Sequence, residues 1–127
     1  YDVGGLLYHY PGGNNTDYFE VYGSVGVDLG FVAAKVGSNY AFSNDNLGNE
    51  DNIYIYTNGD VVIPDTPVTI NLHLGYEDGA LANNKWEWSV GASVNFKGLD
   101  FGVSYIDTNL VGDNVDATVV FKVGASF

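Results

Sequence analysis

The sequence predicts an all-β fold, an antiparallel up-and-down transmembrane β-barrel with eight strands in this chain. Three observations carry that prediction. Apolar and polar residues alternate with period 2 almost throughout, and helical periodicity is absent. Long and short connections follow one another in strict alternation, as they do when long loops gather at one rim of a membrane barrel and tight turns at the other. The composition is poor in charge at 16% against roughly 25% for ordinary soluble domains, yet it holds 17 glycines and 10 tyrosines.

The expected strands are 1–11, 17–29, 30–42, 52–63, 68–77, 85–97, 99–108 and 117–127, within one domain spanning 1–127. The first runs up to the Pro-Gly-Gly of 11–13. The second and third carry Glu20 and Lys35 among small and apolar residues and are joined by a tight Asp-Leu-Gly. In the fourth, Ile55, Thr57, Gly59, Val61 and Ile63 share one face, with Tyr54, Tyr56, Asn58 and Asp60 on the other. A rival reading places a hairpin turn at Asn58-Gly59, a strong turn pair, and would leave an odd number of strands. The fifth sets Val68, Ile70, Leu72, Leu74 and Tyr76 against Thr69, Asn71, His73, Gly75 and Glu77. The sixth sets Trp86, Trp88, Val90, Ala92, Val94 and Phe96 against Glu87, Ser89, Gly91, Ser93, Asn95 and Lys97. The seventh and eighth repeat the pattern through Phe101 and Val103, then Val119, Phe121, Val123, Ala125 and Phe127. Most spans reach about 10 residues, the length of a tilted strand that crosses a bilayer.

Alternation alone does not say which face is wet. The polar face is built of Gly, Ser, Asn and Thr with a few opposite charges, whereas a water-facing surface is denser in Lys and Glu. Glu20, Lys35, Asp60, His73, Glu87, Lys97 and Lys122 are therefore expected to point into a lumen, and the apolar face to meet lipid. Tyr10, Tyr18, Tyr40, Tyr54, Tyr76, Trp86, Trp88 and Tyr105 fall near the long-loop ends and Phe31, Phe96, Phe101 and Phe127 near the opposite ends. Two such levels are expected of interfacial aromatic girdles.

The net charge of −12 argues against nucleic acid as a partner, since phosphate binding needs clustered Lys and Arg. Without cysteine there is neither a disulfide framework nor a thiolate metal site. His9 and His73 are the only histidines. His73 and Glu77 share a face but stand about 13 Å apart at strand rise. No serine sits in a nucleophile-elbow motif, so no catalytic residue, and no enzyme, is expected. The acid-rich loop 43–51 lacks the ligand spacing of a calcium loop, so no metal or other cofactor is expected either.

Several segments resemble a known family. YDVGGLLYHYPGG, DYFEVYGSVG and FVAAKVGSNY, with the later Leu72-His73-Leu74-Gly75-Tyr76, are similar to the core of the TorF-type family of candidate porins from Gram-negative outer membranes. The resemblance implies an outer-membrane location and passive diffusion of small solutes or cations. It implies lipid and lipopolysaccharide as surroundings, and the barrel assembly machinery as a partner that reads the final strand through Phe121 and Phe127. It leaves a homo-oligomer open. Family barrels have about twelve strands, so further strands are expected before Tyr1. Eight strands alone make a barrel filled by its own side chains, so a plugged structural or interaction barrel is the alternative, beside a self-assembling β-rich fibre subunit and a soluble lipocalin-type barrel.

Overall fold

A computed structural model describes residues 1–11, 17–112 and 116–125. Eight strands follow in chain order: β1 (Asp2–Tyr8), β2 (Tyr18–Asp28), β3 (Val32–Ala41), β4 (Asn52–Val62), β5 (Val68–Gly79), β6 (Lys85–Phe96), β7 (Leu99–Thr108) and β8 (Thr118–Ala125). They form one antiparallel sheet in the order β1-β2-β3-β4-β5-β6-β7-β8. The topology is a pure meander. Among the described residues β1 and β8 are the two edges and do not pair with each other, so the sheet is not closed. A single turn of 3-10 helix, Asp45–Leu47, interrupts the β3–β4 loop, and there is no α-helix among the described residues.

β4 runs unbroken through Asn58 and Gly59, which pair with His73 and Leu72. The hairpin pair is overridden because ladders on both sides, to β3 and β5, already satisfy its backbone groups. The tight connections lie at one end of the sheet. At the β6–β7 turn Lys97 (φ 52) and Gly98 (φ 82) both adopt positive φ, the requirement of a two-residue type I′ turn whose twist matches the strands it joins. Lys97 therefore belongs to the turn rather than to β6, and its ammonium lies over the Phe96 ring, 5.3 Å from the centroid.

In the middle of the sheet burial is inverted relative to a water-soluble domain, while edge strand β8 is exposed on both faces. Along β6, Trp86, Trp88 and Val90 are exposed, while Glu87 and Ser89 are half-buried and Gly91 is buried. Among the described residues Ala41 is the only buried hydrophobic residue, and the buried polar residues are Glu20 and Asn52. The accessible surface is 8723 Å², against about 6,600 Å² for a compact monomer of this mass. Among the described residues no apolar core accounts for the fold. The registers put Val25, Val36, Ile55, Leu72, Leu74, Trp88, Val90, Phe101, Val103 and Phe121 on the exposed face. On that face the strands carry charge only at Asp78 and Asp107, both near the long-loop rim.

Gly98→Ala places a Cβ on a φ of 82 that L-residues disfavour. It is expected to cost about 1 kcal/mol, read as an earlier denaturant midpoint by circular dichroism.

Candidate functional site

The polar face gathers a hydrogen-bonded cluster toward the long-loop rim, built across β2 to β6. Glu77 and Lys85 stand directly opposite each other in the β5–β6 ladder. Lys85 and Glu87 are two apart on β6 and so share a face. The Lys85 ammonium donates to Glu87 at 2.7 Å and to Glu77 at 3.4 Å. The Tyr54 hydroxyl donates to Glu87 Oε1 at 2.7 Å, reaching from β4 over the whole width of β5. It can do so because Gly75 lies beneath it: a Cβ there would sit 2.7 Å from the Tyr54 hydroxyl oxygen and 3.0 Å from Glu87 Cγ.

Around this core, His73 Nε2 lies 3.2 Å from the Tyr54 hydroxyl and 3.4 Å from Glu87 Oε1, while Nδ1 lies 2.6 Å from Asn58 Oδ1. Asn52 donates from Nδ2 to Glu77 at 3.0 Å and accepts the Leu81 backbone N–H at 3.0 Å, tying the cluster to the β5–β6 loop. Asn39 donates to Glu20 at 2.5 Å. Tyr8, Glu20, Asn39, Asn52, Tyr54, Glu77, Leu81, Lys85 and Glu87 line one cavity of about 220 Å³. Every buried side-chain polar atom among the described residues has a partner.

Of the residues predicted to face a lumen, His73 and Glu87 meet directly, and Glu20 and Glu87 share the cavity. Lys35, Asp60 and Lys122 stand apart from it. Lys35 is opposite Gly26 and Asn58, Lys122 is opposite Gly102, and Asp60 accepts Asn71 Nδ2 at 2.7 Å. Lys97 caps a turn, as described. Sequence reasoning missed Lys85, Asn52 and Asn39 as cluster members and placed Tyr54 among the rim aromatics. Parity was the available clue for Lys85, which precedes Glu87 by two in an alternating strand.

The aromatics divide between faces. Tyr76 and Trp86 pack at 4.8 Å and Trp88 and Tyr105 at 5.3 Å, all on the exposed face near the long loops. Tyr40 shares that face and bonds Asp51 at 2.5 Å. Tyr18 instead stands on the polar face beside Glu20 and stacks on Tyr8 with centroids 4.5 Å apart. Residue parity explains this, since Tyr18 and Glu20 are two apart on one strand. Tyr10 lies beyond β1, where its N–H donates to Asp17. The Tyr10 backbone N–H, with the His9 side chain, holds the Asp17 carboxyl below its usual value. Phe121 is exposed on β8, opposite Val103. Phe127 lies outside the described residues. Among the described residues no three His, Cys, Asp or Glu side chains converge to hold a metal ion.

A family model matches the chain over residues 1–127, that of Gcw_chp, described as a bacterial protein of unknown function. The chain belongs to the Gcw_chp family. No curated protein and no solved structure matches it.

If Gly75 is kept small so that Tyr54 can cross β5, Gly75→Ala is expected to lower stability by about 1–2 kcal/mol in the native background and by much less beside Tyr54→Ala. A double-mutant cycle on denaturant midpoints measures that coupling.

Proposed function

We propose that this Gcw_chp chain is an outer-membrane β-barrel, a small porin whose polar face lines an aqueous lumen for passive diffusion of small solutes or cations. The observation that carries the reading is the inverted burial. An apolar face that is exposed, and charged only near one rim, suits hydrocarbon, where each backbone polar group must already be paired within a sheet. β2 to β7 hold 10 to 12 residues each, enough to cross a hydrocarbon layer at a tilt.

On the exposed face, Trp88 and Phe96 lie about 26 Å apart along β6, which suits two interfacial levels near the borders of that layer. The sequence resemblance to TorF-type candidate porins points the same way. In this reading lipid and lipopolysaccharide surround the sheet, and the assembly machinery engages β8 with Phe121 and Phe127 at the outer-membrane end of biogenesis. An open sheet edge is not tolerated in hydrocarbon. β1 and β8 must each find a strand partner, whether one another or strands outside this chain.

A second reading, a plugged structural barrel, is favoured by the side-chain network that crosses the polar face from Tyr54 to Glu87 and Lys85. Conductance in planar bilayers separates the two: stepwise single-channel currents support the porin, and a silent but inserted barrel supports the plug. A protein that stays monomeric in water without detergent overturns both.

Val90→Lys puts a charge in the middle of the exposed face. It is expected to cost about 2–4 kcal/mol in a bilayer and to reduce the folded fraction in liposomes, measured by heat-modifiable gel mobility. Ser89→Lys, on the polar face one residue away, is expected to fold nearly as well as the native chain.

A further inference from the structure

Glu20 is a buried acid without a counter-charge. It is 9% exposed, and its one hydrogen-bond partner among the described residues is the neutral amide of Asn39. No ammonium or imidazole lies within 4.0 Å of it among those residues. Lys85, the ammonium on the same cavity wall, is already engaged by Glu87 and Glu77. Glu20, Glu77 and Glu87 against Lys85 leave the wall two charges negative, three minus one. Burying a carboxylate against a neutral amide alone is costly, and a cation placed beside it offsets that cost.

The surroundings of Glu20 say what kind of cation. Tyr18 precedes it by two residues on the same face, and Tyr8 stacks on Tyr18 at 4.5 Å with planes 14° apart. Tyr22 follows by two and lies down over Gly4, where a Cβ would meet its hydroxyl at 2.5 Å. Tyr54 lies over Gly75 on the far side of the same cavity. Tyr8 and Tyr54 are the aromatic rings among the residues lining the cavity, and aromatic faces attract cations through the ring quadrupole. A hard metal ion would need six or more oxygen ligands, and no acidic group of that geometry is present among the described residues.

We infer that the cavity beside Glu20 binds an organic cation, an alkylammonium head group, with Glu20 as counter-charge and Tyr8, backed by its stack on Tyr18, as aromatic wall. The volume of about 220 Å³ falls below the range of about 300–1,000 Å³ for drug-sized ligands and suits a head group of a few heavy atoms. The inference rests on the proposed function in taking the polar face as the one that solutes reach.

The test is calorimetry on the full chain, folded in a polyoxyethylene detergent, with choline as the probe. Its uncharged isostere 3,3-dimethylbutan-1-ol and glucose serve as comparisons. Choline is expected to bind saturably and at least about tenfold more tightly than the isostere. Glu20→Gln is expected to weaken choline about tenfold or more. Tyr8→Phe, which keeps the ring, stays within about threefold of the native affinity, and Tyr8→Leu does not. If Glu20→Gln fails to fold by circular dichroism, the Tyr8 pair decides.

Equal binding of the isostere, preferential binding of glucose, absence of choline binding, or an unchanged affinity in folded Glu20→Gln each overturns the inference. Choline binding by a protein that is silent in planar bilayers leaves this inference standing and removes the porin reading. Conductance without choline binding does the reverse.

Discussion

Register is the constraint on which the rest of the structure depends. Seven antiparallel ladders each fix which residues of neighbouring strands stand side by side, and the side-chain period of 2 makes each register an all-or-none choice of face. A slip of one residue in the β5–β6 ladder would carry Lys85 and Glu87 onto the exposed face and turn Trp86 and Trp88 inward. It would also part Glu77 from Lys85. The polar cluster and the uncharged apolar band are thus two results of one set of backbone hydrogen bonds. Neither could change side without the other.

Because so much of the fold is a repeating local pattern, much of it is legible in the sequence. The eight strands, their meander order and the alternation of long and short connections follow from period and punctuation alone, and β6 and β7 agree with the expected spans to within a residue. Ends were less legible: β1 stops at Tyr8 rather than near Pro11, and β5 extends to Gly79. There the backbone partners come from a neighbouring strand, which composition does not specify.

The site was harder to read than the fold. Face membership follows from parity, and it was enough to set Glu20, His73 and Glu87 on one side. Level along the strand decides which of those residues touch, and level is the sum of several registers that no local window contains. Lys85 joins the cluster because β4, β5 and β6 are staggered so that Tyr54, Glu77 and Glu87 arrive together. Tyr18 was grouped with rim aromatics for its position in the chain, although it shares its face with Glu20. Gly75 carried no sign in the sequence that a tyrosine from the next strand would lie across it.

The Lys97-Gly98 turn has a kinetic side. Joining two strands through two residues, with Gly98 at ease at its positive φ, closes a short loop, whereas the 9–17 and 109–117 connections must close longer loops at about 1 kcal/mol more each. The β6–β7 hairpin is therefore the most local piece of the sheet and the cheapest to form first. Strands would then add outward from it, β8 on one side and β5 back toward β1 on the other. The acidic cluster, which needs β4, β5 and β6 together, would come into being part-way through that growth, before the edges are set.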